Sequence, residues 1–316
     1  MAAMCNHYHQ NDRSVETPPN ALPAIKTVTS DHYAIRARQE DLELVVTGPW
    51  SAAAERALLT GEADRLVLNY ALGFNEPSLD FLRNLPIRQL VILDRGVKDL
   101  EPIYSLAPTL QLLELTTNPS LTLDLSRLEL LTSLGADWAQ VKDSIAGARR
   151  LRYLFLLRYD RPDISPLSSL SRLVGMTMKD KPRLRSLDGL AELHNIKELS
   201  IFSAGQLDDT GALKDVETIE SLELQSCGRL SSISDISCCL GLKSLNFSEC
   251  GEIDSLSSIR NLARLETLYL FGTTNIKDGD LTPLLELPRL HELRMQDRRH
   301  YNPRVKDIQA ILPRLT

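Results

Sequence analysis

A stretch near the middle of the chain carries the same pattern twice. Residues 219–241 read IESLELQSCGRLSSISDISCCLG, and residues 242–264 read LKSLNFSECGEIDSLSSIRNLAR. Both copies have apolar residues at places 1, 4, 6, 12, 15 and 18 and a cysteine at place 9. A period of about 23 residues indicates an array of stacked units, because each unit can bury its apolar face only against its neighbours.

The same pattern extends over most of the chain. The core of each unit follows L-x-x-L-x-L, as in LQLLEL from residue 110, LRYLFL from 151 and LETLYL from 265. Buried places 4 and 6 alternate with outward places 3, 5 and 7, which is the period of a strand with one buried face. The rest of each unit is short and rich in Ser, Asp and Pro, which predicts tight turns. The predicted units begin at Ala63, Ile87, Leu110, Leu131, Leu151, Leu173, Ile196, Ile219, Leu242, Leu265 and Leu290.

These repeats resemble the leucine-rich repeat family, in its short-repeat class of about 22–23 residues, which includes internalin-like and phosphatase-regulator-like solenoids. The resemblance covers roughly three quarters of the chain. It implies an α/β repeat solenoid: an arc with a concave parallel β-sheet of about eleven short strands, turns or short helical turns on the convex side, and terminal caps. In that family place 9 is usually Asn or Cys, whose side chain satisfies backbone groups between turns. Asn118, Cys227, Cys250 and Thr273 fit that role, whereas the other units depart from it.

Four regions are predicted along the chain. Residues 1–24 are a disordered tail, 25–62 an N-terminal α/β cap, 63–298 the repeat array and 299–316 a C-terminal cap. Within the first cap, residues 51–59 predict a short helix with Ser51 as its N-cap. Cys5, His7 and His9 allow a metal site in the tail, but a closed zinc site needs a fourth ligand, so a flexible tail is the preferred interpretation.

Composition and charge exclude several classes of function. No apolar run approaches the roughly 18 residues of a membrane span, and the first twenty residues lack the basic start and apolar core of a signal peptide. A net charge of −6 argues against general binding to nucleic acid or to an anionic membrane. Five cysteines without a signal peptide predict reduced thiols. We therefore expect a cytoplasmic protein.

The sequence shows no motif for catalysis. A Gly-rich phosphate loop, paired histidines at metal spacing and a nucleophile elbow are all missing from it. We predict no enzymatic activity, no cofactor, no metal and no small-molecule substrate. Cys227 and Cys250 lie one repeat apart and should stack, so a redox pair or a cryptic site there stays an alternative to the structural role that the resemblance implies.

The outward strand places predict a binding surface. Trp138, Tyr153, Phe155 and Leu157 cluster on neighbouring units, and grouped exposed aromatics are typical of binding hot spots. The alternative is that Trp138 and Phe155 fold under a cap or a deformed short unit, since the register is weakest at residue 131. The predicted partner-binding residues are Val91, Leu93, Asp94, Glu114, Asp137, Trp138, Tyr153, Phe155, Leu157, Arg158, Phe202, Glu223, Tyr269 and Phe271.

Charge on the same face predicts the kind of partner. Acidic residues outnumber basic ones there, which favours a basic partner protein. The resemblance implies a protein-binding module, monomeric when free. The first hypothesis is therefore a non-enzymatic module that binds a partner protein on its concave face, and one use that the acidic face suits is neutralisation of a basic protein, as by an immunity protein. A phosphatase-type regulatory subunit and a secreted host-directed effector are alternatives. The basic clusters Arg149-Arg150-Arg152 and Arg298-Arg299 are interpreted as solubilising. The acidic set is Asp94, Glu114, Asp137, Glu198, Glu223, Glu249 and Glu292, against Arg158, Lys179 and Arg294.

Overall fold

Buried apolar side chains recur at the predicted places and form one core along the chain. The computed structural model describes residues 27–28, 32–38 and 41–313. In the unit that begins at Leu242, the core is supplied by fully buried residues at places 1, 4, 6, 12, 15, 18 and 21: Leu242, Leu245, Phe247, Ile253, Leu256, Ile259 and Leu262.

Every predicted unit contributes one strand, which begins two residues after the predicted start of the unit. These eleven strands are parallel, in register, and lie side by side in chain order, so the predicted sheet of about eleven strands is confirmed. They are β4 (Arg65–Asn69), β5 (Gln89–Leu93), β6 (Leu112–Leu115), β7 (Ser133–Asp137), β8 (Tyr153–Leu157), β9 (Gly175–Lys179), β10 (Glu198–Phe202), β11 (Ser221–Gln225), β12 (Ser244–Asn246), β14 (Thr267–Leu270) and β16 (Glu292–Met295).

Other strands extend or accompany this sheet. β2 (Tyr33–Arg38) and β3 (Asp41–Val46) form an antiparallel hairpin, and β3 pairs in parallel with β4. β1 (Thr27–Val28) pairs antiparallel with β2, while β13 (Glu252–Ile253) and β15 (Asn275–Ile276) pair separately on the return side. The sheet continues from β3 to β4 across residue 62. The predicted domain boundaries at 24, 62 and 298 stay predictions.

Short helical turns return the chain from each strand to the next. Side chains of Asp and Ser begin many of them: Asp163 accepts a hydrogen bond from the amide of Ser165 (3.0 Å), and Ser232 accepts one from that of Ser234 (3.1 Å). Such local bonds compete with a longer helix, so the return stays short, as the Ser and Asp content predicts. The 3₁₀ turns are Tyr70–Leu72, Asp80–Leu82, Glu101–Leu106, Leu125–Arg127, Ile145–Gly147, Ser165–Leu167, Leu190–Glu192, Gly211–Asp215, Ser234–Cys238, Ser257–Asn261 and Thr282–Glu286.

The cysteines at place 9 are buried and satisfy backbone carbonyls between successive turns. The Cys250 thiol donates to the carbonyl of Leu224 (2.9 Å), and the Cys227 thiol lies 3.9 Å from that of Ile201. A hydrogen bond with Cys250, together with burial, raises the pKa of Cys227. The Cys227 thiol is therefore held protonated, and both side chains fill space in the core and bind carbonyls.

Two place-9 predictions are wrong by one residue. Thr273 is exposed, and the neighbouring Thr274 is buried instead, where its hydroxyl donates to the carbonyl of Phe247 (2.7 Å). Likewise Asn118 is exposed, whereas Thr117 is buried. The buried threonine stands at place 10 in the unit of Leu265 and at place 8 in the unit of Leu110, so counting from place 1 selects the wrong side chain.

A left-handed residue follows the strand in six consecutive units. Arg158, Asp180, Ser203, Ser226 and Glu249 have φ between 54° and 63°, and the next equivalent residue is a glycine with φ 72°. Residues other than Gly adopt this region infrequently. Stacking favours the turn, because the amides of Arg158, Ser203, Ser226 and Glu249 each donate to a carbonyl of the next unit, as Ser226 does to Ser248 (3.0 Å).

The helices lie near the ends of the array and at one internal position. They are α1 (Ala52–Leu59), α2 (Trp138–Val141) and α3 (Val305–Ile311). Ser51 accepts from the amide of Ala54 (3.1 Å), which confirms it as the N-cap of α1. The predicted tail with Cys5, His7 and His9 lies outside the described residues, as do residues 25, 26, 29–31, 39, 40 and 314–316 of the predicted caps.

Candidate functional site

The outward side chains at places 3, 5 and 7 of the parallel strands line the face of the sheet opposite the helical turns, which we call the concave face. At its centre, Tyr153 and Phe155 stand on β8 and alternate with buried Leu154. Both aromatic side chains are partly exposed. The prediction that these two residues face outward is confirmed, and they form the first aromatic group of the concave face.

Two glycines create low points beside this group. Gly135 on β7 pairs in register with Phe155, and a depression over it of about 30 Å³ is lined by Glu114, Phe155 and Leu157 among others. On the other side, the ring of Tyr153 lies against Gly175, so closely that a Cβ there would be 3.0 Å from its Cδ1. Gly135 is not among the predicted contacts, although a glycine at place 5 between Glu114 and Phe155 is a visible signal.

A second aromatic group lies toward the C-terminal end. Phe271 is 43% exposed, and Tyr269 stands beside it on β14 with the guanidinium of Arg294 5.1 Å from its ring centroid. Between the two groups, the ammonium of Lys179 lies 4.3 Å from the ring of Phe202. Cations over aromatic faces are stabilised by the ring quadrupole, so these rings are already oriented on the surface.

Carboxylates occupy the floor between the two aromatic groups. Glu198 is exposed on β10. Glu223 accepts a hydrogen bond from the side-chain amide of Asn246 (2.7 Å), and Glu249 accepts one from the backbone amide of Thr273 (3.0 Å). The last two bonds come from neutral donors, so they add no positive charge beside Glu223 and Glu249. The acidic character of the concave face is therefore concentrated on β10 to β12.

Trp138 does not belong to this surface, and its predicted outward orientation is wrong. The side chain is 2% exposed, packs edge-on against Tyr159 with ring centroids 4.6 Å apart, and its Nε1–H donates to Asp160 (2.7 Å). The cause is the helix α2, which begins directly after β7 and rotates Trp138 into the core. The alternative of a deformed short unit is correct for this residue and not for Phe155.

Asp137 is also buried, because it begins α2. Its carboxylate accepts from the amide of Ala139 (2.9 Å), and the side chain of Gln140 returns to the amide of Asp137. Arg158 pairs with Asp137 and with Asp180 (2.9 Å). The predicted acidic contact at Asp137 is therefore neutralised inside the chain. The signal in the sequence was D-x-x-Q, an N-capping box.

The N-terminal part of the concave face is closed by its own side chains. Val91 was predicted to be outward and available, but it is 2% exposed and packs in a row with Val45 and Val67 on the neighbouring strands. Leu93 is partly buried against the same row, together with Leu72 from the turn after β4. Valines are short, so the longer neighbours cover them, and the three valines themselves are not accessible to a partner.

An ion-pair network lies beside the valine row. Buried Arg65 places its Nε 3.2 Å from Glu43 and its Nη2 3.5 Å from Glu114, and its Nη1 donates to Gln89 (2.8 Å). Arg36 binds the same Glu43. Glu114 therefore faces both this network and the depression over Gly135. Because its charge is already paired, we expect it to contribute less to steering than Glu223 and Glu249.

Two further predicted contacts are buried. Asp94 is 8% exposed and accepts from the amide of Gly96 (2.7 Å), so it shapes the turn after β5. Leu157 is 6% exposed and lies beside Phe155 at the wall of the Gly135 depression. The predicted residues that the structure leaves at least partly exposed on the concave face are Leu93, Glu114, Tyr153, Phe155, Arg158, Phe202, Glu223, Tyr269 and Phe271.

The chemistry available in the described part of the chain is limited. Within it, no three His, Cys, Asp or Glu side chains are grouped so that they could hold a metal ion, and no helix is long and apolar enough to cross a membrane. Cys227, Cys239 and Cys250 are buried free thiols, and Cys238 is an exposed one. Burial raises the pKa of Cys239 to about 11, so this thiol is a poor nucleophile near neutral pH.

The strand register, the short return turns and the open sheet face define a repeat solenoid. Its fold is that of the leucine-rich repeat proteins. An internalin, InlF from Listeria monocytogenes, is 18% identical, with a TM-score of 0.53 over 86% of this chain and 85% of that chain. A leucine-rich repeat protein of Leptospira interrogans is 19% identical, with a TM-score of 0.52 over 76% and 74%. No known family matches the sequence, and no curated protein matches it.

Proposed function

We propose that this chain is a non-enzymatic binding module that holds a basic segment of a partner protein on its concave face. The observation that carries the proposal is the arrangement of two exposed aromatic groups around an acidic floor. Phe155 and Phe271 mark the two ends. Aromatic anchors supply most of the energy at protein interfaces, while charges around them set orientation and rate.

The spacing of the two groups suits a short extended segment. Five inter-strand steps separate β8 from β14, which at about 4.8 Å per step is roughly 24 Å. An extended peptide covers this distance with about seven residues. The floor between the groups carries small side chains such as Ser200, Ser221 and Ser244, so a segment crossing the strands meets little steric hindrance.

The charge of the floor indicates a basic partner. Glu223 and Glu249 receive hydrogen bonds from neutral groups only, among the residues described, and Lys179 is directed toward Phe202. Lysines or arginines of a partner would therefore meet uncompensated carboxylates. Charges placed in this way raise the association rate and make binding sensitive to salt.

Affinity capture from the native cell extract, followed by titration with the purified captured protein, tests the proposal. Two variants report on the concave face: Phe155→Ala/Phe271→Ala removes one anchor from each group, and Glu223→Lys/Glu249→Lys reverses the charge of the floor. Leu59→Ala/Leu240→Ala is the matched control, since these two side chains are 54% and 58% exposed elsewhere. We expect the dissociation constant to rise about tenfold or more for either concave-face variant and to stay unchanged for the control.

All variants must be folded at the assay temperature; we expect only a small loss of stability in Phe155→Ala/Phe271→Ala, because both side chains are at least partly exposed. Capture of the same partner with unchanged affinity by both concave-face variants would move the binding surface elsewhere and reject the proposal. If only Glu223→Lys/Glu249→Lys raised the dissociation constant, the aromatic groups would be rejected as anchors and the acidic floor would be retained.

The proposed biological role is neutralisation of a basic protein in the cytoplasm, in the manner of an immunity protein. Two features support it: the acidic floor would compete for a basic surface, and free buried thiols such as Cys227 are compatible with a reducing compartment. Co-expression tests the role. The captured protein should inhibit growth when it is expressed alone, and growth should recover with the wild-type chain but not with Phe155→Ala/Phe271→Ala.

A further inference from the structure

A basic surface lies at a different place, at the edge of the sheet where the parallel strands begin. Arg149, Arg150 and Arg152 occupy the turn that enters β8, and Arg172 precedes β9. The two turns are adjacent, because the carbonyl of Arg152 accepts hydrogen bonds from the amides of Val174 (2.7 Å) and Gly175 (3.0 Å). We call these four exposed residues the arginine patch.

The arginine patch has no internal counter-charge. None of its four side chains makes an ion pair or a side-chain hydrogen bond with any residue that the structure describes. Glu129 holds the place equivalent to Arg149 one unit earlier and does not pair with it. Four positive charges on two neighbouring turns repel one another, so an anion that binds there stabilises the patch.

The same edge is neutralised farther along the sheet. Glu220 lies between two lysines, at 2.8 Å from Lys197 and 2.6 Å from Lys243. Their hydrogen bonds, that of Lys197 foremost, lower the pKa of Glu220 to about 2. The place directly before the strand thus carries a compensated charge ladder from β10 to β12 and the unpaired Arg152 at β8. The repeat architecture does not by itself require a bare arginine there.

We propose that the arginine patch binds an acidic segment of a protein, on a surface separate from the concave face. Guanidinium groups bind carboxylates with two parallel hydrogen bonds, and two adjacent turns can present such pairs to successive acidic residues. The charge balance favours a short acidic peptide over a nucleic acid. The patch carries +4 in a chain of net charge −6, so the remaining residues carry −10 and repel a long polyanion.

Fluorescence anisotropy with a labelled octa-glutamate peptide tests this inference at 50 mM and 300 mM salt. The variant Arg150→Glu/Arg152→Glu reverses half of the patch. Arg183→Glu/Arg185→Glu is the matched control, because it makes the same charge change at two exposed arginines on another part of the chain. All four substituted positions are exposed, so melting curves should match that of the wild type.

We expect the peptide to bind the wild type and the control alike, and to bind the patch variant about tenfold or more weakly. Raising the salt concentration should weaken peptide binding to the wild type and to the control, and leave binding to the patch variant almost unchanged. Equal binding to all three proteins, or no binding to any, would overturn the proposal. Tighter binding of a single-stranded 20-nucleotide DNA than of the peptide, lost in the patch variant, would also overturn it by assigning the patch to nucleic acid.

Discussion

Replacing Trp138 by Ala should destabilise the chain strongly, although the residue lies where a surface contact was predicted. The side chain is 2% exposed, contacts the ring of Tyr159 and donates a hydrogen bond to Asp160. Truncation of a buried Trp costs about 3–5 kcal/mol, to which loss of the aromatic pair contributes about 0.5–1.5 kcal/mol. We therefore expect a loss of about 4 kcal/mol in the free energy of unfolding.

Urea denaturation followed by far-UV circular dichroism measures this loss, and near-UV spectra report the packing of the rings. Phe155→Ala is the comparison, because Phe155 is only partly buried on the concave face and should cost about 1 kcal/mol. Trp138→Phe should fall between them, since it keeps most of the volume while Asp160, at the surface, regains water. A loss below about 1 kcal/mol for Trp138→Ala would refute the burial of Trp138 and the role of α2 in the core.

Two other substitutions test the array itself. Glu220→Gln should lower the free energy of unfolding at pH 7 by about 1 kcal/mol, the upper range for an exposed pair. The folded pKa of Glu220 is about 2, below its ordinary 4.5, so the difference between variant and wild type should be lost as the pH falls from about 4.5 to 2. A pH-independent difference would contradict the ion pairs assigned to Glu220. Gly189→Ala should lower the free energy of unfolding by about 2–4 kcal/mol, because Gly189 has φ +89° and a Cβ there would lie 2.5 Å from the amide nitrogen of Ser165. Gly205 has open space around it, so Gly205→Ala should leave the urea midpoint unchanged.

The repeat period was sufficient to predict the number, direction and register of the eleven repeat strands. Places 1, 4 and 6 of each unit must be buried together, so the repeat pattern alone assigns Leu242, Leu245 and Phe247 to the core, where all three lie. The Ser and Asp residues that begin the return turns were also visible as turn formers. Strict alternation along β8 likewise predicted that Tyr153 and Phe155 face outward.

The tertiary structure decided which outward positions remain accessible. Val91 has the correct strand face, but Val45 and Val67 reach it from strands that are distant in sequence. Trp138 follows a strand whose last residue, Asp137, caps a helix instead of continuing outward. Alternation determines the side of a strand on which a side chain lies, because that is a local property of the backbone. Exposure depends on the lengths of neighbouring side chains and on where each strand ends, and only packing between units sets these.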